Sequence, residues 1–279
     1  MRFGLDLSQS HLDFPEVVRR VRLAESLGFD GIWLGDHFKP NFPGSRFEVG
    51  NYLEAWSTLA ALATITSKVR LGVLVSGVTH RHPSVLAAQA ATIDHISQGR
   101  LDFGLGAAWA QSEHFELGIP FPTAAERARR LEEAVTVVQL LLTGDGVDFE
   151  GRYYQLRNAT YKPRPVQKPH PPIWIGGSGE RYTIPLTARQ ANAWHAFGTV
   201  ATLDRKSALL NRLSAEAGRD PSAILRATDL AIEEPCDAVR RKIGALVSIG
   251  FEYLIVTWPL GGSAVVEGFA RDCMWGQVK

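Results

Sequence analysis

The stretch that runs from Arg70 to Trp109 constrains the fold of this chain more than any other part of the sequence. Arg70–Val75 is an apolar run that predicts a buried strand, and Val85–Ile96 places apolar residues at helical spacing. Leu101–Leu105 predicts a second buried strand directly after that helix. Two buried strands joined by a helix form a parallel βαβ unit, in which functional residues gather just after the strands.

The same alternation of strand and helix recurs along the whole chain. Eight strands are predicted, at Arg2–Leu7, Gly31–Leu34, Arg70–Val75, Leu101–Leu105, Ile173–Gly176, Ala193–Ala196, Arg226–Ile232 and Tyr253–Thr257. The segments LGFDGIWL (Leu27–Leu34) and IGFEYLIV (Ile249–Val256) each combine a helix end, a capping glycine and a strand. One βα unit used repeatedly predicts an α/β fold, a (β/α)8 TIM barrel in which residues 1–279 form a single domain. A doubly wound open sheet is the alternative.

Two stretches interrupt the repeating pattern. Leu34–Asn51 is a long loop after the second strand, and Gly144–Pro172 is an insertion after the fourth βα unit. Within the insertion, a hairpin is predicted to turn at Glu150–Gly151–Arg152 before an extended, proline-rich segment. Long structured insertions after barrel strands often shape a site, so we expect both to contribute to one.

Composition excludes several classes of function. The 279 residues carry a formal net charge of +1, which argues against nucleic-acid or membrane-surface binding. We identify no signal peptide and no apolar run long enough to span a bilayer, so a cytoplasmic location is expected. Cys236 and Cys273 are the only cysteines, are far apart in sequence and lack metal-ligand spacing, so two reduced, structural thiols are expected.

Histidines follow two of the predicted strands. Asp36 and His37 come just after the second strand, where an imidazole can donate a hydrogen bond or transfer a proton. The alternative is a histidine that only packs at the strand end. His80 and His82 have a spacing that can bind a metal, but no partner set of ligands is evident, so no metal is expected.

Two glycine-rich loops follow strands. Gly104–Trp109 begins like a dinucleotide-binding fingerprint, but Trp109 stands where the third glycine belongs. The loop Gly176–Gly177–Ser178–Gly179 lies between a strand and a helix, where backbone amides and a hydroxyl can hold a phosphate. A plain strand-to-helix turn is the alternative for this second loop.

These motifs together resemble the luciferase-like monooxygenase superfamily, most closely its branch that uses coenzyme F-420 (F420), a deazaflavin. The resemblance rests above all on AESLGFDGIWLGDHF, HPSVLAAQAATIDHISQGRLDFGLGAAW and GRYY followed by KPHPPIWIGGSG. It implies a (β/α)8 barrel with the flavin-type ring at the carboxyl ends of the strands. The family is often dimeric, so a homodimer is expected.

The resemblance also implies roles for particular residues. The catalytic residues would be His37, which assists proton transfer near the ring, and Asp36, which would orient it. The family often has a non-proline cis peptide at the end of the third strand, which we expect between Leu74 and Gly77, at Val75–Ser76. The cofactor-binding residues would be Val75, Ser76, Gly77, Gly106, Ala107, Ala108, Gly176, Gly177, Ser178 and Gly179.

Three departures from the family pattern bear on the substrate class, on the geometry of one loop and on the cofactor. Asn41 replaces a tryptophan found in members that act on sugar phosphates, and Asn192–Ala193–Trp194 replaces a familiar Asp-Gly-Trp after the sixth strand. FMN-using members often have an arginine near Ala107, and its absence from the local sequence favours the deazaflavin.

The resemblance predicts an F420-dependent oxidoreductase that transfers a hydride between the cofactor and a small organic substrate. The alternatives are an FMN-dependent monooxygenase, a metal-dependent TIM-barrel hydrolase that uses His80 and His82, and a binder of flavin or deazaflavin without catalysis. Glu54 and Glu113 are secondary acid-base candidates, each of which could equally be a structural helix residue.

Overall fold

The computed structural model describes residues 1–7, 9–40 and 50–274. Its strands are β1 (Arg2–Asp6), β2 (Gly31–Leu34), β3 (Arg70–Gly77), β4 (Leu101–Gly106), β5 (Val147–Glu150), β6 (Gln155–Ala159), β7 (Ile173–Gly176), β8 (Ala193–His195), β9 (Leu225–Leu230) and β10 (Tyr253–Thr257). Its α-helices are α1 (Phe14–Ser26), α2 (Ala55–Ile65), α3 (Pro83–Ile96), α4 (Gln111–Glu116), α5 (Ala124–Thr143), α6 (Thr183–Gln190), α7 (Val200–Glu216), α8 (Cys236–Ser248) and α9 (Ser263–Phe269). A short 3-10 turn (Pro221–Ala223) precedes β9, and a π-helical segment (Ala270–Met274) follows α9.

Eight parallel strands close into a barrel in the order β1-β10-β9-β8-β7-β4-β3-β2. The closing pair is β1 with β10, in which Arg2 is opposite Tyr253 and Asp6 is opposite Thr257. The predicted (β/α)8 barrel is therefore confirmed, and the open-sheet alternative is wrong because an open sheet has no such closing pair. The interpretation of residues 1–279 as one domain stays a prediction.

Side chains fill the interior of the barrel. Trp33 and Trp174 meet with ring centroids 4.5 Å apart, and Tyr253 packs edge-on against both. Glycines make room for these rings: a Cβ at Gly72 would lie 2.3 Å from Cζ3 of Trp33. Because the middle of the barrel is packed rather than hollow, a ligand can be received only at an end of the barrel.

The insertion after β4 and α5 contains the predicted hairpin. β5 and β6 are antiparallel, with Glu150 opposite Gln155, which puts the reversal where the sequence predicts it. The proline-rich segment that follows packs on α3 and on the end of α5. Tyr161 Oη donates to the carbonyl of Ala88, and Arg164 Nη1 donates to the carbonyl of Leu141.

Two helix predictions need correction. The short helix α4 was not predicted, and the helix expected at Val265–Asp272 is α-helical only to Phe269. Cys236 and Cys273 are both free thiols, as expected, and they lie side by side with their Sγ atoms 2.6 Å apart. The loop expected at Leu34–Asn51 falls partly outside the described residues, as does Asn41. Among the described helices, none is long and apolar enough to cross a membrane.

Candidate active site

A cavity of about 370 Å³ opens at the carboxyl ends of the barrel strands. The loops that follow β2, β3, β4, β7 and β8 supply its walls. Its lining residues are Asp36, His37, Leu74, Val75, Gly77, His80, Gly106, Ala107, Ala108, Trp109, Ala110, Glu113, His114, Gly176, Gly177, Thr183, His195 and Phe197. None of these residues comes from the insertion at Gly144–Pro172, so the expectation that the insertion shapes this site is not met in the described structure.

Most of the residues that the sequence singles out meet in this cavity. Asp36 and His37 line it, together with seven of the expected cofactor-binding residues: Val75, Gly77, Gly106, Ala107, Ala108, Gly176 and Gly177. Ser76, Ser178 and Gly179 do not line it. Ser76 is fully buried behind the strand, and its hydroxyl accepts a hydrogen bond from Trp56 Nε1 at 2.7 Å.

His37 is held by a buried carboxylate. Its Nδ1 atom lies 2.9 Å from Oε2 of Glu113, whose side chain is fully buried. The other oxygen of Glu113 accepts from the backbone amide of Phe38 at 2.5 Å. Burial alone would raise the pKa of Glu113, but the hydrogen bonds from His37 and Phe38 outweigh burial and hold the pKa below its ordinary value. An ionised carboxylate only accepts hydrogen bonds, so the Nδ1–H of His37 is the donor and its Nε2 is left for a ligand.

Asp36 has a different partner from the one expected. Its Oδ2 atom accepts from Nη1 of Arg81 at 2.6 Å, and the same guanidinium bonds to Glu54, which also caps α2. Burial opposes ionisation of Asp36, but His80 and Arg81 lower its pKa below the ordinary value. The expectation that Asp36 orients His37 needs correction, because the carboxylate of Asp36 bonds to Arg81 whereas His37 bonds to Glu113.

His80 and His82 do not act as a pair. His82 accepts a hydrogen bond from the amide of Ser84 at 3.2 Å and caps α3, so its role is structural. His80 is buried in the cavity wall, with Nε2 at 4.0 Å from Glu113 and Nδ1 at 3.6 Å from Asp36. Neither nitrogen of His80 has a hydrogen-bond partner among the described residues.

His80, Glu113 and His114 form a group whose ligand-type atoms lie within 4.8 Å of one another. His114 is committed to other contacts, because its Nδ1 donates to the carbonyl of Ala110 and its Nε2 lies 2.6 Å from Thr79 Oγ1. Glu113 is likewise occupied by His37 and Phe38. The H-x-H spacing that motivated the hydrolase alternative therefore does not create a shared site for His80 and His82.

Several cavity residues were not singled out in the sequence, and His195 and Trp109 are two of them. His195 ends β8, and its Nε2–H donates to Oδ1 of Asp229 at 2.8 Å. Trp109 packs edge-on against His37, with ring centroids 5.4 Å apart, and is 57% exposed. His195 is the last residue of β8 and Trp109 lies three residues after β4, and these positions at strand ends were the one available signal. Glu113 was found only as a secondary candidate because it lies in the six-residue helix α4.

Two side chains outside the cavity stabilise the glycine-rich turn after β7 by hydrogen bonds. Trp194 Nε1 donates to the carbonyl of Gly177 at 2.8 Å, and Lys206 Nζ donates to the carbonyl of Ser178 at 2.9 Å. Gly177 has φ of +132°, a conformation that other residues rarely adopt. The hydroxyl of Ser178 is buried and has no described partner, so a hydrogen-bonding group remains there for a ligand.

Val75 forms the floor of the cavity next to three strands. A Cβ at Gly106 would lie 2.4 Å from its Cγ2, and a Cβ at Gly176 would lie 2.8 Å from its Cγ1. The peptide bond between Leu74 and Val75 is cis. It lies within the expected range, but one residue earlier than the expected Val75–Ser76 bond.

An arginine does lie next to Ala107, although the local sequence lacks one. Arg127, on α5, donates from Nε to the carbonyl of Ala107 at 3.1 Å and stacks on Phe121. It does not line the cavity. The sequence argument that disfavoured FMN is therefore weakened, since Arg127 approaches Ala107 from a distant element.

Comparison with known proteins identifies the family. The model of the family described as luciferase-like monooxygenase matches residues 1–250. A protein of Microbacterium testaceum named F420-dependent glucose-6-phosphate dehydrogenase is 38% identical over 184 residues, which are 66% of this chain and 53% of that relative. The chain thus spans about half the length of this curated relative.

Solved structures share the fold over nearly the whole chain. The F420-dependent tetrahydromethanopterin reductase of Methanopyrus kandleri superposes with a TM-score of 0.84 at 20% identity, covering 99% of each chain. An F420-dependent secondary alcohol dehydrogenase, solved with an F420-acetone adduct, gives 0.85 at 18% identity, covering 98% of each chain. At these identities the likeness concerns the fold, whereas the family match covers most of the sequence. The chain belongs to the luciferase-like monooxygenase family.

Proposed function

We propose that this chain is an F420-dependent oxidoreductase that acts on a small organic substrate. When bound, F420 supplies the hydride-accepting or hydride-donating carbon of its deazaflavin ring. The residues of the chain bind the cofactor, position the substrate and move the proton that accompanies hydride transfer.

One observation carries the proposal: a histidine bonded to a buried, ionised carboxylate lies on the wall of the cavity at the barrel mouth. Glu113 fixes the Nδ1–H tautomer of His37, so that Nε2 can accept a proton from a substrate hydroxyl. In the reverse direction, the doubly protonated imidazole can donate that proton to a carbonyl oxygen. In both directions Glu113 holds the ring in place through the hydrogen bond at Nδ1.

The described residues fit a phosphate-bearing cofactor. The buried, unpartnered hydroxyl of Ser178 and the backbone of Gly176–Gly179 would hold the phosphate at the start of the chain leading into α6. Val75, Gly77 and Gly106 present little side-chain bulk to the cavity, which allows a flat ring to approach the backbone.

The names of the relatives favour F420 over FMN as the cofactor. Several relatives that match about two thirds of the chain are named F420-dependent glucose-6-phosphate dehydrogenase, at 32–38% identity. The FMN-dependent monooxygenase remains the alternative, and the position of Arg127 beside Ala107 is compatible with it.

The lining of the cavity favours a substrate without a phosphate group. Of the eighteen lining residues, all from the described part of the chain, none is lysine or arginine. Trp109 and Phe197 instead present exposed aromatic surface at the mouth. We therefore propose a small, uncharged alcohol or carbonyl compound rather than the sugar phosphate in the names of the relatives. A homodimer and a cytoplasmic location also stay predictions.

Titration of the protein with F420 and, separately, with FMN tests the cofactor directly. Binding is followed by fluorescence, and we expect saturable binding of F420 at least tenfold tighter than that of FMN. Tight FMN binding without F420 binding would support the monooxygenase instead. With F420 bound, secondary alcohols, aldehydes and glucose 6-phosphate are compared as substrates by the change in cofactor absorbance.

Two remaining alternatives have their own signatures. A binder without catalysis would show tight F420 binding but no turnover with any member of a broad substrate panel. A metal-dependent hydrolase would be isolated with stoichiometric metal when purified without chelator, and would lose activity when His80 is replaced.

A further inference from the structure

The only two cysteines of the chain meet at one place in the fold. Cys236 is the first residue of α8, and Cys273 lies in the π-helical segment at the end of the described chain. They are 37 positions apart in sequence, yet their Sγ atoms lie 2.6 Å apart. A disulfide bond needs about 2.05 Å between the sulfurs, so a small adjustment of the side chains would allow one to form.

The surrounding packing holds the two thiols together. Arg240, one turn along α8, donates a hydrogen bond to the backbone carbonyl of Asp272, which fixes the π-helical segment against the helix. Cys273 is 2% exposed, whereas Cys236 is partly exposed. Both thiols line a surface cavity of about 350 Å³, through which a small oxidant can reach them.

We propose that Cys236 and Cys273 form a reversible redox pair whose disulfide ties the terminal helical segment to α8. This segment continues directly from α9, which packs on the barrel. Phe269, just before it, packs edge-on against Phe3 of β1 at 5.5 Å and also contacts Phe29 before β2. A bond from Cys273 to α8 therefore fixes the segment that directly follows Phe269, the residue that packs on β1, and this inference does not depend on the cofactor.

The chemistry is thiol–disulfide exchange with a small disulfide, such as oxidised glutathione, as the oxidant. Burial raises the pKa of the Cys273 thiol to about 12, so the more exposed Cys236 reacts first. The Cys236 thiolate attacks one sulfur of the oxidant and releases one equivalent of thiol. Cys273 then loses its proton and attacks Cys236 Sγ, which releases the second thiol. Overall, the protein dithiol loses two electrons and two protons, and the oxidant gains them.

Thiol counting under denaturing conditions gives a direct test, because the chain has no other cysteine. The reduced protein should react with two equivalents of a thiol reagent, and the protein treated with oxidised glutathione should react with none. Peptide mapping should then find the two cysteine-containing peptides joined within one monomer. Two reactive thiols after oxidation, or a linkage between two copies of the chain, would overturn the proposal.

Thermal unfolding tests the tying role separately. The oxidised protein should melt roughly 5–10 °C above the reduced protein, since the bond closes a loop in a chain of this size. Cys236→Ser and Cys273→Ser, each at its own Tm, should show no difference between oxidising and reducing conditions. An intramolecular disulfide that leaves Tm unchanged would overturn the claim that it stabilises the packing of the terminal segment on α8.

Discussion

Nδ1 of His37 lies 2.9 Å from Oε2 of Glu113, and this contact joins the loop after β2 to helix α4, 76 positions away in the sequence. The two residues stabilise each other. The carboxylate is fully buried and requires donors, which His37 and two backbone amides supply. The imidazole requires a fixed tautomer and orientation, which the carboxylate supplies. A histidine at a strand end thereby becomes a group that can exchange protons at the cavity.

The first prediction concerns His37→Ala. We expect the variant to keep its fold and most of its affinity for F420, because cofactor binding is assigned mainly to the turn after β7. Turnover should fall by roughly 10²–10⁴, the usual scale for an acid-base group. The measurement is kcat with whichever alcohol or carbonyl substrate the panel identifies.

His82→Ala is the matched control, since His82 caps α3 and lies outside the cavity. It should cost about 1 kcal/mol of stability, as lost helix caps do, with turnover almost unchanged. Equal loss of turnover in both variants, together with bound zinc in the parent protein, would favour the hydrolase.

The second prediction concerns the dependence of stability on pH. Asp36 and Glu113 both have a folded pKa below the ordinary carboxyl value, because charged and hydrogen-bonding partners outweigh burial. Their stabilising effect is therefore complete above the ordinary carboxyl pKa and is lost as the pH falls through the folded values. The free energy of unfolding, measured by denaturant titration, should fall steeply on acidification below about pH 4.

Asp36→Asn tests how much of this dependence comes from the pair with Arg81. At neutral pH the variant should lose roughly 2–4 kcal/mol, because the partly buried guanidinium of Arg81 loses one of its two charged partners. Its stability should also depend less on acid pH. Asp204→Asn, at an exposed position of α7, should stay within about 0.5 kcal/mol of the parent. If the Asp36→Asn variant loses as much unfolding free energy on acidification as the parent does, Asp36 is not a source of the pH dependence.

The barrel could be predicted from the sequence because its signals are local. The glycines of the two echoing segments, Gly28 and Gly250, have φ of +79° and +85°, the conformation that ends a helix before a strand. Strand and helix periodicities then fix one βα unit at a time, and β1 pairs with β10 as the repeat requires. Boundaries of the main elements consequently agree within a few residues.

The inner contacts of the site could be predicted only in part. Positions after strands identified His37 and the turn at Gly176–Gly179, since strand ends converge on one mouth. Side-chain contacts depend on how segments distant in sequence approach each other. The sequence therefore did not show that Glu113 bonds to His37 or that Arg81 bonds to Asp36. Proximity of the two cysteines likewise arises from the packing of the terminal segment on α8, which no local pattern encodes.

A third prediction concerns the turn after β7. Ser178→Asp places a negative charge where we assign the cofactor phosphate, and like charges repel. F420 affinity should fall about 10- to 100-fold, or about 1.4–2.8 kcal/mol. Ser178→Asn has nearly the same shape without the charge and should lose much less affinity. Equal F420 affinities of the Asp and Asn variants in the fluorescence titration would contradict the assignment of the cofactor phosphate to this turn.

The fourth prediction concerns the cavity floor, where Gly106 lies directly beneath Val75. Gly106→Ala would put a Cβ 2.4 Å from Cγ2 of Val75, and the backbone of Gly176 also lies close to this side chain, since a Cβ built there would be 2.8 Å from Cγ1. Val75 must therefore move toward the cavity, which should cost roughly 1–3 kcal/mol of stability and weaken F420 binding.

Gly244→Ala is the control, because that glycine is exposed within α8 with no atom near its Cβ position. It should raise stability by about 0.5–1 kcal/mol and leave binding unchanged. If Gly106→Ala binds F420 as tightly as the parent, Val75 does not form the surface against which the ring rests.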